Sequence, residues 1–191
     1  MLSRPASRVA ETMISDCLTW LAVLFVVGGL GAETVERAAG QQPAWHDFEE
    51  ALAVADSTGR FVMVAVYAPW CGWCHKMKDD VYSSTEVRQC LAKNFVTTRL
   101  NRDDTDTVYQ YQGRRLTPRK LAATFRAEGV PTTVLLSPRG GYVMHLSGFI
   151  GPTRLRSLLA YVSTRAYRSV PYEEFRPGAM NCNDRLRRRP D

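Results

Sequence analysis

Apolar runs punctuate this chain at intervals that suit a sheet. Phe61 to Ala68 (FVMVAVYA) is continuously apolar and rich in Val and aromatics. It is too short for a typical helix and suits a strand buried on both faces, ended by Pro69. Phe95 to Leu100 (FVTTRL) and Thr132 to Leu136 (TTVLL) read as further strands. Turn residues from Pro138 to Gly141 then lead into Tyr142 to Leu146, a hairpin signal. Helical spacing fills the gaps. Trp45, Phe48, Leu52 and Ala55 recur at three- and four-residue steps, with Gly59 as a stop. The spacing predicts a helix from Cys71 to about Val81, broken at Ser83 to Thr85, where Thr85 caps another bearing Val87, Cys90 and Leu91. Thr117, Pro118 and Gly129 delimit a short helix with Leu121 and Phe125 on one face. Leu155, Leu158, Leu159 and Val162 give the last helical face. Asn101 to Arg115 has alternating charge, two Tyr and no clear period, and reads as an inserted surface loop. The order predicts an α/β fold, a mixed central sheet flanked by helices on both faces.

Upstream, the pattern changes. Cys17 to Ala32 is 16 residues without a charge, preceded by Arg4 and Arg8. A spanning helix wants about 20 apolar residues and the apolar part of a signal peptide about 7–15. Residues 1–32 are therefore expected to be a signal peptide or membrane anchor. Residues 33–42 (ETVERAAGQQ) read as a linker, 43–170 as the domain, and 171–191 as a basic tail.

Composition narrows the classes. The 191 residues are 45% hydrophobic and 23% charged, which excludes wholesale disorder and disulfide-dense scaffolds. Of the net +6, five Arg and two Asp between Arg176 and Asp191 put +3 in the tail. A mildly basic remainder makes a weak case for nucleic acid.

Chemistry concentrates at Trp70-Cys71-Gly72-Trp73-Cys74-His75. A buried strand, a Pro and then C-x-x-C opening a helix put Cys71 where free N–H groups and the helix dipole favour a thiolate, the attacking species. Cys74 lies one turn deeper, placed to resolve a mixed disulfide by thiol exchange. Trp70 and Trp73 give the exposed sulfur an apolar surround. The same letters contain C-x-x-C-H, the c-type haem attachment pattern with His75 as ligand. Haem attachment does not call for a buried strand immediately upstream, and a Soret band in the purified protein would decide for it. Zinc needs about four ligands, and there is no second C-x-x-C or nearby His pair. An inert staple over so small a loop would constrain little of the unfolded chain.

At this point the sequence resembles the thioredoxin superfamily, through Tyr67-Ala68-Pro69-Trp70-Cys71-Gly72-Trp73-Cys74, then Gly129-Val130-Pro131-Thr132, and Gly148 before the last helix. The resemblance covers about residues 43–168. Within the superfamily it is most similar to exported thioredoxins associated with bacterial sulphur oxidation, on Gly-Phe-Ile-Gly-Pro (148–152), Leu-Leu-Ala-Tyr-Val (158–162) and Ala-Tyr-Arg-Ser-Val-Pro-Tyr-Glu-Glu-Phe (166–175). It implies a thioredoxin fold and a cis Pro131. Such a proline would place the Val130 backbone beside the active sulfur, with Trp70, Gly72, Trp73, Val130 and Pro131 meeting the substrate. With the apolar leader, it points to a periplasmic reductase of protein disulfides or cysteine-linked sulphur adducts. In an oxidising space that reductase would need a membrane thiol-electron donor. The cysteine pair carries the electrons, so that no bound cofactor or metal is needed, and monomer is the default. A disulfide-forming oxidant of the same fold and a non-catalytic binding or chaperone module stay open beside it.

One departure matters. Thioredoxins usually bury a carboxylate six residues before the first cysteine, and here that position is Ala65. Lys76, Lys78 and Asp79 are near in sequence. Gly72-Trp73 also replaces the common Gly-Pro between the cysteines, which leaves the potential open. The remaining candidates read as structural. His75 is expected to be a solvated helix residue, with tuning of the thiolates as its other possible role. Cys90 is expected to pack in the core, with a Cys90–Cys182 bridge as the alternative in an oxidising compartment. His46 and His145 carry no motif, and Arg185 to Arg189 read as a solvated tail rather than a lipid contact.

Overall fold

A computed structural model describes residues 42–175 and Cys182. The leader over 1–32, the linker other than Gln42, and the tail beyond 175 other than Cys182 lie outside the described residues. Among the described residues no helix is long and apolar enough to cross a membrane.

The organising element is strand β2 (Phe61–Tyr67). Alternate side chains of a strand point to opposite faces. Phe61, Met63 and Ala65 therefore join one core, and Val62, Val64 and Val66 the other. β2 pairs in parallel with β3 (Phe95–Asn101) and antiparallel with β6 (Thr132–Leu136). The short strand β1 (Trp45–His46) lies outside β3, and β7 (Tyr142–Ser147) lies outside β6. The sheet order is β1-β3-β2-β6-β7.

Helices cover both faces. Phe48, Ala51 and Ala55 of α1 (Phe48–Thr58) and Leu121 and Ala122 of α4 (Pro118–Thr124) pack on the Val62–Val66 face. The other face receives α2 (Gly72–Lys76) with its π-helical continuation Met77–Tyr82, α3 (Thr85–Asn94) and α5 (Pro152–Ser163). This is the expected mixed α/β layering and the thioredoxin fold.

Four details differ from the sequence expectation. Trp45 belongs to a strand, its backbone in register with Thr97, and the helix begins only at Phe48. The stretch expected as a surface loop contains a hairpin, β4 (Tyr109–Tyr111) and β5 (Arg114–Leu116). Gln112 and Gly113 both have positive φ (49° and 74°), the two-residue turn that matches strand twist. Tyr111 and Leu116 are buried, and the Tyr111 hydroxyl donates to Gly140 O at 2.7 Å. Helix α4 stops at Thr124 rather than near Gly129, because Arg126 takes the left-handed conformation (φ 57°) that ends it.

The fourth difference concerns Cys90. It is buried on α3 as the spacing predicts, but it is also bonded to Cys182, 92 positions away in sequence, with Cα atoms 5.2 Å apart. The Asn94 side-chain amide donates to Cys182 O at 2.7 Å. Part of the stretch read as a basic tail is therefore core. Phe175 is buried against Tyr161 (5.2 Å between centroids), Tyr172 packs on the same ring (5.3 Å), and the Tyr161 hydroxyl donates to Val170 O at 2.6 Å. A cross-link over so long a loop removes much chain entropy from the unfolded state. Replacing Cys90 and Cys182 with Ser should lower stability by about 2–4 kcal/mol, read from urea unfolding of the oxidised proteins. An unchanged midpoint would show that the bond does not hold this segment down.

Candidate active site

Strand β2 ends at Tyr67 and delivers the chain to the edge of the sheet. Ala68 is buried, and its carbonyl accepts the Cys71 N–H at 3.1 Å, so the chain turns tightly into α2. Cys71 occupies the N-cap position of that helix, and its side chain accepts the Cys74 N–H at 3.1 Å. Cys71 and Cys74 are disulfide-bonded, with Cα atoms 5.2 Å apart. Both sulfur residues are buried, at 5% and 8% exposure. The Cys74 N–H, shared between Cys71 O (3.0 Å) and Cys71 Sγ, would hold negative charge on that sulfur once the pair is reduced.

The expected substrate-contacting residues gather here. Trp70 and Trp73 are 68% and 59% exposed, large apolar side chains left on the surface beside the disulfide. Gly72 is exposed between them and has open space where a Cβ would stand. Val130 packs on the cluster of Ala68, Cys71 and Cys74. The Val130–Pro131 peptide is cis, and Pro131 O accepts the Gly148 N–H at 2.8 Å. His75 is exposed, and its Nε2 lies 3.0 Å from Pro69 O, which ties the ring to the loop ahead of Cys71. Among the described residues no cluster of His, Cys, Asp and Glu is placed to hold a metal ion.

Three further residues join the site that sequence reasoning did not select. Phe149 stacks obliquely on Trp73, with centroids 5.3 Å apart, and extends the apolar surface. It sits inside the Gly148–Gly151 loop, whose position across from α2 only the fold reveals. Arg99 stands opposite Ala65 in the β2–β3 register. Its signal was a lone charge inside an otherwise buried strand. Asp103 follows β3 and receives the Trp70 indole N–H at 2.8 Å. No local spacing links two residues 33 positions apart.

Asp103 fixes the orientation of Trp70. The indole hydrogen bond is the main reason its carboxyl lies below the ordinary 3.8, with the Arg102 guanidinium (3.3 Å) and the Arg119 charge (3.5 Å) acting in the same direction. A carboxyl held low stabilises the fold above its ordinary value, and that contribution is lost as pH falls through its lowered one. Acidification below about 3.8 should therefore release Trp70, seen as a fluorescence change that Asp103→Leu removes. The Trp70→Phe protein provides the background from the other tryptophans. An identical acid transition in Asp103→Leu would rule this pairing out.

Residues 48–163 match the family of thioredoxin-like domains. Human Spermatogenesis-associated protein 20 is 26% identical over 113 residues, 57% of this chain, and its rat counterpart is 27% identical. The chain spans only 13% and 12% of the length of those two curated relatives. Among solved structures, a thioredoxin from Thermus thermophilus is 29% identical and covers 65% of this chain and 90% of its own, with a TM-score of 0.53. DsbH oxidoreductase, at 17% identity and a TM-score of 0.53, covers 74% of this chain and 98% of its own and shows the fold alone. A bonded C-x-x-C pair at a helix start in this fold suggests a thiol–disulfide oxidoreductase. The family match spans well over half of the sequence, and the chain belongs to the thioredoxin-like domain family.

Proposed function

We propose that this protein is an exported thiol–disulfide oxidoreductase that works as a reductase. The observation that carries the reading is the Cys71–Cys74 disulfide at the start of α2, with the Cys74 N–H directed at Cys71 Sγ. In the reduced protein the Cys71 thiolate attacks one sulfur of a substrate disulfide. An S–S bond forms between Cys71 and substrate, and the other substrate sulfur leaves as a thiolate. Cys74 then loses its proton and attacks Cys71 Sγ. The intramolecular disulfide forms, the second substrate thiolate leaves, and two electrons have passed to the substrate. Trp70, Trp73 and Phe149 supply apolar contact, and the Val130 backbone supplies hydrogen-bonding groups to an extended segment of the substrate.

Localisation rests on two supports. The apolar run from Cys17 to Ala32 suits an export signal or anchor, and the Cys90–Cys182 bond suits an oxidising compartment such as the periplasm. A reductase there needs recharging, which calls for a membrane thiol-electron donor. Protein disulfides or cysteine-linked sulphur adducts, of the kind met in bacterial sulphur oxidation, are the substrate class.

Cys71→Ser should slow insulin disulfide reduction at least about a hundredfold, since a serine hydroxyl at its ordinary acidity is a poor nucleophile. Cys74→Ser should instead accumulate a mixed disulfide with the substrate. Unchanged function of Cys71→Ser in the cell would support a non-catalytic binding module instead. Equilibration of the pair with dithiothreitol or glutathione then fixes the direction. A potential near about −270 mV fits a reductase, and one near about −120 mV would make the protein a disulfide donor.

A further inference from the structure

A cavity of about 20 Å³ lies next to the resolving cysteine, lined among others by Ala65, Cys74, Lys78, Tyr82, Arg99 and Pro131. That volume admits about one water molecule. Among the described residues lining it there is no carboxylate, while two of them are cations. Arg99 is held there by its packing: the guanidinium carbon is 4.3 Å from the centroid of the Tyr67 ring and 5.6 Å from that of Trp45. Trp45 in turn meets Tyr82 edge-on at 5.6 Å. Two aromatic faces thus keep a permanent positive charge at the cavity wall.

We propose that Arg99 is a positioning residue for the resolving step, its guanidinium favouring the Cys74 thiolate in the cavity they share. This rests on the oxidoreductase reading above. When Cys74 attacks the mixed disulfide its S–H proton must go elsewhere, and the groups around it limit the choice. From the α2 segment these are Cys71, Lys78 and Tyr82, from β2 Tyr67, and from β3 Arg99; the Val130–Pro131 turn contributes no titratable group. Tyr82 is fully buried and desolvation pushes its hydroxyl up to about 12, so it stays protonated and takes no proton at neutral pH. Lys78 has its Nζ 3.9 Å from the Asp79 carboxylate, which offsets its charge. The proton therefore leaves to water, and the Arg99 charge stabilises the anion left on sulfur. Arg99 is the better fixed of the two cations, through its aromatic neighbours.

The test separates charge from turnover. In full-length Cys71→Ser protein, the Cys74 thiolate is titrated by its ultraviolet absorbance, with Cys71→Ser/Cys74→Ser as the blank. Adding Arg99→Gln should raise the midpoint by about half a unit to one unit, and Arg99→Lys should restore most of it. In protein with both cysteines, Arg99→Gln should slow decay of the mixed disulfide about three- to tenfold at neutral pH and move that pH profile upward by the same shift. An identical Cys74 titration with Arg and with Gln at position 99 overturns the proposal. Failure of the parent protein to reduce insulin would sink the oxidoreductase reading instead, and the titration would still report on Arg99.

Discussion

Strand β2 is bonded on both sides, parallel to β3 and antiparallel to β6, and that double pairing decides where every active-site group stands. A strand paired on both edges cannot slip by one residue without turning its buried side chains to the wrong face. The alternation of Phe61, Met63 and Ala65 against Val62, Val64 and Val66 locks the register from both cores. The fixed exit at Tyr67 puts Cys71 at the start of α2. The neighbours then each add one component: β3 brings Arg99 and, just beyond its end, Asp103, while the segment entering β6 brings Val130 and Pro131. Arg102 N–H continues the pairing by donating to Tyr67 O at 2.9 Å, so the loop that anchors Trp70 is itself anchored to the end of β2.

The elements visible in the sequence are those whose physics is local. The continuous apolar run gave β2, short runs rich in β-branched residues gave β3 and β6, and C-x-x-C after a buried strand and a Pro gave the chemistry of the site. What escaped depends on partners far along the chain. Trp45 looks helical by spacing, yet backbone pairing with Thr97 makes it a strand. The Tyr109–Leu116 hairpin lacks the apolar alternation of an independent strand pair. Its turn needed Gln112, a residue that rarely signals positive φ, and its burial depends on packing against Phe48 and Phe125. Arg126 ended α4 ahead of the glycine that chemistry would have chosen. Arg99 and Asp103 became site residues only through register and loop path.

The two disulfides illustrate how one bond type serves different ends. Cys71 and Cys74 are 3 apart in sequence, Cys90 and Cys182 are 92 apart. Closing the short loop removes little freedom from the unfolded chain, and closing the long one removes much. Their surroundings divide in the same way. Cys90, 1% exposed, shares its core with Val87, Leu91 and the α5 leucines. The Cys71–Cys74 pair is only just covered, and Trp70 and Trp73 stand open beside it. A partner disulfide can approach the Cys71–Cys74 pair by covering the apolar surface of Trp70 and Trp73.

A carboxylate and a cation beside a resolving thiol act on opposite sides of the same proton transfer. A carboxylate accepts the proton and then stands neutral, but before that its charge disfavours the thiolate it is meant to produce. A guanidinium cannot accept a proton at any pH where the protein works, yet it lowers the cost of the anion throughout. With Ala65 opposite Arg99 there is no carboxylate at that register position to neutralise the guanidinium. The Tyr67 and Trp45 rings hold it by their faces, and neither brings a carboxylate. On the proposal above, the resolving step depends on the fixed charge of Arg99 and on water reaching a cavity large enough for one molecule. Such a design ties release of the substrate to solvent access at Cys74, so a substrate that seals the cavity with its own apolar surface would be held longer as the mixed disulfide than one that leaves it wet.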